Sequence, residues 1–228
     1  MKIKKNKSDN HFPTIILGGG GHARVLMDAL LLQSIPVLGI AVADPALKNT
    51  MISGIKVIGT DEDVLSHSPE QVRLVNGLGS VDLTKKRQQL FKKFKKLGYI
   101  FTNVIHPSAI IASNVQLSEG VQLMAGSIVQ TGSCIGENTI VNTRVSVDHD
   151  CKIGTHVHLA PGVILSGEVT IGNGTHVGTG TKVIQGIRIG NNSLVGAGSV
   201  IIREVDDNMC VAGSPPRSIN SHSHKPND

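Results

Sequence analysis

A strict six-residue repeat in the second half of the chain, and alternating strand and helix patterns in the first half, predict a two-part mixed fold. We expect a small N-terminal Rossmann-like α/β domain over residues 12–105. A left-handed parallel β-helix of hexapeptide repeats with a C-terminal cap should follow over residues 106–219. The basic segment 1–11 and the polar segment 220–228 are expected to be flexible tails.

The repeat runs through residues 109–204 as sixteen consecutive hexads with no insertion or deletion. The third residue of every hexad, from Ile111 to Ile201, is Ile, Leu or Val, and the fourth is Gly, Ala or Ser in ten of the sixteen. A period of six matches neither a helix nor a simple strand alternation. It matches a three-sided coil in which each hexad forms one side, the aliphatic residue points inward and small residues allow the corners.

The composition limits the classes of function. The chain of 228 residues has no Trp, one Tyr and four Phe, so its core must be mainly aliphatic. Its three Cys residues form no CxxC pair, which favours a reducing, cytoplasmic location. No apolar run reaches membrane-spanning length, so no membrane insertion is predicted. The net charge of +5 suits anionic ligands such as nucleotides or coenzyme A.

The N-terminal part is predicted as a small parallel sheet with helices. The expected strands are Ile15–Leu17, Val37–Ala43, Val72–Asn76 and Tyr99–Ile105, and Ile55–Ile58 is expected to be a hairpin arm. The tight turn Gly18–Gly21 precedes a helix predicted over Ala23–Gln33, so its backbone N–H groups should face a ligand at the carboxyl edge of the sheet. The glycine spacing is not GxGxxG, so NAD binding is not predicted.

A lysine-rich helix is predicted over Val81–Leu97, with Leu90, Phe94 and Leu97 on its apolar face. The lysines are interpreted as a solvated face. Nucleic-acid binding would need aromatic stacking residues and a wider basic patch, and the sequence has neither.

One hexad carries the candidate chemistry, because it places Asp148, His149 and Asp150 in a row. An imidazole beside a carboxylate is suited to general-base catalysis, since the carboxylate fixes the tautomer and stabilises the imidazolium. A surface histidine in a polar turn explains the motif equally well.

A second histidine, His158, follows nine residues later, which is one and a half sides of a three-sided coil. His149 and His158 should therefore leave the chain from different faces, and only a trimer with sites between subunits would bring them together. Neither His156 nor His176 completes a three-imidazole metal spacing, so no metal site is predicted.

The motifs GGGGHA (18–23), GLGS (77–80), VDHDC (147–151) and GSPPR (213–217), together with the unbroken hexads, resemble the NeuD/PglD-type sugar acyltransferases. The resemblance extends from about Thr14 to Ile219. It implies a cytosolic homotrimer that moves an acetyl group from acetyl-CoA to a sugar for surface glycan biosynthesis. The acceptor is the 4-amino group of a UDP-linked amino-dideoxy sugar in PglD-like members. It is a sialic acid hydroxyl in NeuD-like members.

The resemblance also implies roles for individual residues. His149 is the expected catalytic base, and Asp150, where some members carry Glu, should raise its basicity. The coenzyme is expected to contact His158, Gly167, Thr179 and Ala197. The sugar nucleotide is expected to contact Gly20, Gly21, His22, Asp44 and Gly79. A β-helix protein that only binds a sugar nucleotide is the remaining alternative, and the VDHDC motif argues against it.

Overall fold

The computed structural model of the protein describes residues 12–80 and 83–219. Both predicted tails, 1–11 and 220–228, lie outside the described residues. The described chain forms an N-terminal α/β unit that packs on one side of a long three-sided coil of short parallel strands.

The described part of the N-terminal unit contains a five-stranded sheet. Its strands are β1 (Thr14–Leu17), β2 (Val37–Ala41), β3 (Met51–Ile52), β4 (Ile55–Gly59) and β5 (Arg73–Asn76). Their order in the sheet is β3-β4-β2-β1-β5. The strands β1, β2, β4 and β5 run parallel, and β3 pairs antiparallel with β4 as the predicted hairpin arm. The carboxyl ends of the four parallel strands therefore share one edge, as the sequence predicted.

Among the described residues of this unit there are two helices of twelve residues, one short helix and a 3-10 turn at Pro45–Leu47. The helices are α1 (Gly21–Leu32), α2 (Asp61–Val64) and α3 (Lys85–Lys96). Helix α3 is shorter than the predicted helix, whose residues 81 and 82 lie outside the described residues. Its buried residues are Arg87, Phe91 and Phe94, so the expectation that Leu97 belongs to the apolar face is wrong, since that side chain is 47% exposed.

The predicted strand Tyr99–Ile105 is also corrected. Only Val104–Ile105 forms a strand (β6), and it pairs with Gln122–Leu123 of the coil rather than with the N-terminal sheet. Phe101 contributes a single bridge to Leu74. The coil therefore begins one hexad before the repeat that the sequence made visible.

The hexads form the predicted left-handed parallel β-helix, and each coil of 18 residues adds one strand to each of three sheets. Sheet 1 contains β7 (Ile110–Ile111), β10 (Ile128–Val129), β13 (Ser146–Val147), β16 (Ile164–Leu165), β19 (Lys182–Val183) and β22 (Val200–Ile201). Sheet 2 contains β8 (Gln116–Leu117), β11 (Cys134–Ile135), β14 (Lys152–Ile153), β17 (Thr170–Ile171) and β20 (Arg188–Ile189). Sheet 3 contains β6, β9 (Gln122–Leu123), β12 (Ile140–Val141), β15 (His158–Leu159), β18 (His176–Val177), β21 (Leu194–Val195), β23 (Cys210–Ala212) and β24 (Arg217–Ser218).

The third residue of each hexad points into the coil, as predicted. Fourteen of the sixteen, from Leu123 to Ile201, are buried in one aliphatic cluster. Ile111 and Leu117 are partly buried and pack against that cluster near its N-terminal end. Full burial of such a side chain stabilises the fold by about 1.5–3 kcal/mol, so the repeat supplies much of the stability of the coil.

The coil continues past the predicted end of the repeat near Glu204. Val205 bridges to Ile189, and β23 pairs parallel with β21 before a hairpin leads into β24. Pro215 and Pro216 of the GSPPR motif lie in the turn between β23 and β24. The segment therefore caps the coil, but its first part still follows the coil.

No helix in the described part of the chain combines the length and hydropathy that crossing a bilayer requires.

Candidate active site

His149 lies at the corner between sheet 1 and sheet 2, two residues after β13. The corner is tight, and Asp150 completes it with the left-handed backbone angle φ of 57°. The His149 N–H donates to Oδ1 of Asp148 at 2.8 Å, which fixes the start of the corner. An Asp tolerates the left-handed region better than most residues, which suits it to this position.

The imidazole of His149 is held by its neighbour. Its Nδ1 lies 2.9 Å from Oδ2 of Asp150, and its side chain remains 42% exposed. This hydrogen bond is the main cause that raises the pKa of His149 above its ordinary value. The carboxylates of Asp148, Asp150 and Glu168 raise it further, and partial desolvation opposes them.

This geometry suits proton transfer. With Nδ1 hydrogen-bonded to Asp150, the proton of the neutral ring lies on Nδ1 and Nε2 carries the free lone pair. Nε2 has no hydrogen-bond partner within the described residues. The predicted pair of His149 and Asp150 is therefore placed in contact, with one nitrogen available to accept a proton.

The residues predicted to contact the coenzyme do not converge within one chain. Gly167 lies on the same corner as His149, one coil further on, and is buried. Thr179 and Ala197 are exposed at a different corner, between sheet 3 and sheet 1, where they stack one coil apart. These two corners of the three-sided coil (the prism) face different directions. One ligand could contact both kinds of corner only if a second chain supplied one of them.

His158 lies on sheet 3 beneath the N-terminal unit. Its ring is 5% exposed, with Nδ1 at 2.8 Å from the Ser80 hydroxyl and Nε2 at 3.1 Å from the side-chain nitrogen of Asn142. Burial, and then the neighbouring His176, lower its pKa well below the ordinary value, so the ring stays neutral. The argument that His158 would meet the His149 of another subunit assumed an exposed ring. The structure corrects it, because the N-terminal unit covers this face.

The predicted sugar-nucleotide residues lie along the carboxyl edge of the N-terminal sheet. Gly20 and Gly21 open α1, and no atom would obstruct a side chain built there, so their backbone is accessible. Asp44 follows β2 and accepts a hydrogen bond from the Ala46 N–H at 2.9 Å. Gly79 follows β5 and approaches His22, whose Cβ lies 3.2 Å from the position of a Cβ on Gly79.

His22 faces the coil, not the open edge. Its Nε2 donates to the side-chain oxygen of Gln122 at 2.7 Å, and Gln122 in turn donates to the Asn76 carbonyl at 2.8 Å. Burial, and then the nearby Arg87, lower the pKa of His22 to about 4, against the opposing effect of the Gln122 hydrogen bond. The ring therefore stays neutral and joins the two parts of the chain.

The structure adds two features that the sequence did not indicate. A cleft of about 510 Å³ beside Asp44 is lined by Ala43, Pro45, Thr60, Asp61 and Glu62. The residues of α2 that line it carried no recognisable motif.

The second feature is Arg87, which is 1% exposed and donates to the carbonyls of Asn76, Leu78 and Asn138. Desolvation lowers the pKa of Arg87 to about 9. In the sequence Arg87 lies within a lysine-rich run that was interpreted as solvated. Nothing in the sequence indicated that it would be buried and would connect the GLGS turn (77–80) to the coil.

No group of three or more His, Cys, Asp or Glu side chains that would hold a metal ion occurs among residues 12–80 and 83–219.

Comparison with known proteins gives a family match for each of the two parts of the chain. Residues 14–94 match the PglD N-terminal domain, and residues 168–203 match the bacterial transferase hexapeptide repeat. The structure is similar to a variant of perosamine N-acetyltransferase from Caulobacter crescentus in complex with CoA and GDP-perosamine. That likeness has a TM-score of 0.86 and 35% identity, over 91% of this chain and 97% of the other.

Two further relatives show the same pattern. The acetyltransferase domain of PglB from Neisseria gonorrhoeae in complex with acetyl coenzyme A matches with a TM-score of 0.84 and 32% identity, over 91% of this chain and 98% of the other. GDP-perosamine N-acetyltransferase from Escherichia coli O157:H7 is 25% identical over 68% of this chain and 70% of its own length. By contrast, the match to the Sinorhizobium fredii acyl-[acyl-carrier-protein]–UDP-N-acetylglucosamine O-acyltransferase spans only 26% of that relative.

Proposed function

The chain belongs to the NeuD/PglD-type family of acetyl-CoA-dependent sugar acyltransferases, and we propose that it acetylates the amino group of a nucleotide-linked 4-amino-dideoxy sugar. The observation that carries this proposal is the contact between His149 Nδ1 and Asp150 Oδ2 at 2.9 Å, while Nε2 has no partner among residues 12–80 and 83–219. The N-acetyltransferase activity in the names of the relatives supports an amine as the acceptor.

The proposed reaction is direct transfer. The amine nitrogen attacks the thioester carbonyl carbon while Nε2 of His149 takes the proton that the nitrogen loses. The tetrahedral intermediate then collapses, the carbon–sulfur bond breaks, and the departing CoA thiolate takes the proton from the imidazolium. Asp150 stabilises the imidazolium between these two steps. No acyl-enzyme is needed, and burial raises the pKa of the Cys151 thiol to about 11, which makes it a poor nucleophile.

The nucleotide is proposed to lie along the carboxyl edge of the N-terminal sheet, against Gly20 and Gly21 and toward the cleft beside Asp44. Exposed backbone at the start of α1 supports a phosphate contact there, since a helix N-terminus attracts anions. The family resemblance favours a UDP-linked sugar. GDP-perosamine in the Caulobacter complex makes a GDP-linked sugar the alternative.

We also propose that the active form is a homotrimer with its active sites between subunits. Gly167 and the pair Thr179 and Ala197 lie on two different corners of the prism. A groove between two prisms would present both corners to one coenzyme molecule. Free thiols at Cys134, Cys151 and Cys210 support a cytoplasmic location, where cysteines stay reduced.

The test is to incubate the purified chain with acetyl-CoA and a panel of UDP- and GDP-linked amino sugars, and to follow the release of free CoA thiol. Thiol release that requires one amino sugar, with an N-acetylated product by mass spectrometry, is the expected result. Release only with a hydroxyl acceptor such as sialic acid would replace the proposal with O-acetylation. Binding of the nucleotide sugar without any thiol release would indicate a non-catalytic protein.

A further inference from the structure

One glycine stands out in the column of corner residues that contains His149. Residues at equivalent corners of successive coils are 18 positions apart, and the Glu168 N–H donates to the His149 carbonyl at 2.9 Å across two such corners. Gly167 is the only residue of this column without a side chain. The column consists of Ser113, Thr131, His149, Gly167, Gln185 and Arg203.

The backbone does not explain this glycine. At the first five of these corners, from Ser113 to Gln185, the left-handed residue is the one that follows, as with Asp150 at φ 57° and Glu168 at φ 62°. Gly167 itself is not left-handed, and the other members of the column show that the position accepts side chains of any size. The turn geometry therefore leaves the absence of a side chain unexplained.

The neighbouring imidazole does explain it. A Cβ atom built on Gly167 would lie 2.4 Å from Nε2 and 2.5 Å from Cε1 of His149. These separations are well inside van der Waals contact. Gly167 is also buried, although both of its neighbours in sequence are at least partly exposed. The ring of His149 thus occupies the space that a side chain at position 167 would fill.

We propose that Gly167 is a positioning residue for the catalytic base, because its missing side chain lets the His149 ring lie over the next coil while Nδ1 stays bonded to Asp150. This inference rests on the proposed function. It gives Gly167 a role separate from the coenzyme contact expected from the family resemblance. In this position the ring also lies close enough to Glu168 for that carboxylate to stabilise the imidazolium.

The test compares Gly167→Ala with Ser113→Thr, which adds the same single methyl group at the equivalent corner three coils earlier. The backbone at position 167 accepts alanine, so both variants should fold, with melting temperatures close to that of the wild type. In Gly167→Ala the methyl group should displace the ring from Asp150. The pKa of His149, measured by NMR titration of the imidazole without any substrate, should then fall towards the ordinary histidine value.

The turnover of Gly167→Ala should fall together with the pKa of His149, by roughly ten- to a hundredfold, since a displacement of about 1 Å at a reacting group has effects of this size. A glycine contacts the coenzyme only through its backbone, which alanine keeps, so the KM for acetyl-CoA should change less than turnover. Ser113→Thr should behave as the wild type in both assays. An unchanged His149 titration in Gly167→Ala would overturn the inference, whatever happens to turnover. If the wild type itself has no acetyltransferase activity but the His149 titration still shifts in Gly167→Ala, the steric relationship is upheld and the proposed function is rejected.

Discussion

Nδ1 of His149 lies 2.9 Å from Oδ2 of Asp150, the next residue in the chain. This contact depends on the corner, because the left-handed backbone of Asp150 turns its carboxylate back toward the preceding ring. A pair formed by adjacent residues needs no other part of the fold to bring it together. The next coil adds to this pair, because Gly167 leaves room for the ring and the carboxylate of Glu168 raises the pKa of His149 a little further.

We predict that His149→Ala lowers turnover by about a hundredfold to ten-thousandfold, the usual effect of losing a general base. Acetyl-CoA affinity, measured by calorimetry, should stay nearly unchanged. The side chain is 42% exposed, so the melting temperature should also stay close to that of the wild type. Near-normal turnover combined with a lower melting temperature would instead identify His149 as a structural residue.

The pH dependence of the reaction should report the same contact. The hydrogen bond to Asp150 raises the pKa of His149, so kcat/KM should rise with pH through a midpoint above the ordinary histidine value of about 6.5. Asp150→Asn removes the charge but keeps the shape, and should move that midpoint to lower pH and reduce the plateau. Asp206→Asn, an exposed change near the end of the coil, is the control. A midpoint that does not move in Asp150→Asn would count against the proposed pair.

Acid should destabilise the contact between the two parts of the chain. His156 packs against Phe91 and accepts a hydrogen bond from Asn138, and its pKa is lowered to about 4, mainly by burial. The unfolded chain binds a proton near pH 6.5, so this residue favours unfolding as the pH falls from about 6.5 towards 4. The effect is at most about 1.4 kcal/mol per pH unit.

Denaturant unfolding at pH 7 and pH 5 measures this effect, and His156→Asn should show a smaller difference between the two pH values than the wild type. Asparagine is chosen because it tolerates the left-handed backbone of position 156, where φ is 58°. His67→Asn is the matched control, because the backbone carbonyl of His67, not its ring, accepts the Tyr99 hydroxyl. Equal pH dependence in all three proteins would contradict the prediction.

The proposed trimer predicts a mass of three chains of 24.0 kDa by light scattering at concentrations where the enzyme is active. Large exposed isoleucines follow one side of the coil, with Ile110 at 60% and Ile164 at 45% on sheet 1. Ile164→Lys should therefore weaken the assembly and lower activity together. Leu38→Lys, a comparably exposed change in the N-terminal sheet, should leave the mass unchanged. A fully active monomer would exclude both the trimer and the shared sites.

Much of the coil could be predicted from the sequence because its rules are local. Each hexad carries one aliphatic residue to the axis, and the same register repeats every 18 residues, so the inward set from Ile111 to Ile201 follows from counting. The corner pair of His149 and Asp150 was predictable for the same reason, since adjacent residues at a turn are close in any fold. The family resemblance then supplied roles that spacing alone could not.

What only the tertiary structure decided concerns the face where the two parts of the chain meet. Nothing in the hexads distinguished sheet 3, so the burial of His158 and the contact of His22 with Gln122 were not predictable. The burial of Arg87 was not predictable either, because in the sequence it looks like one more basic residue of a lysine-rich helix. Burial of a polar side chain depends on partners that are distant in sequence, and a repeat pattern carries no record of which of its faces another domain will cover.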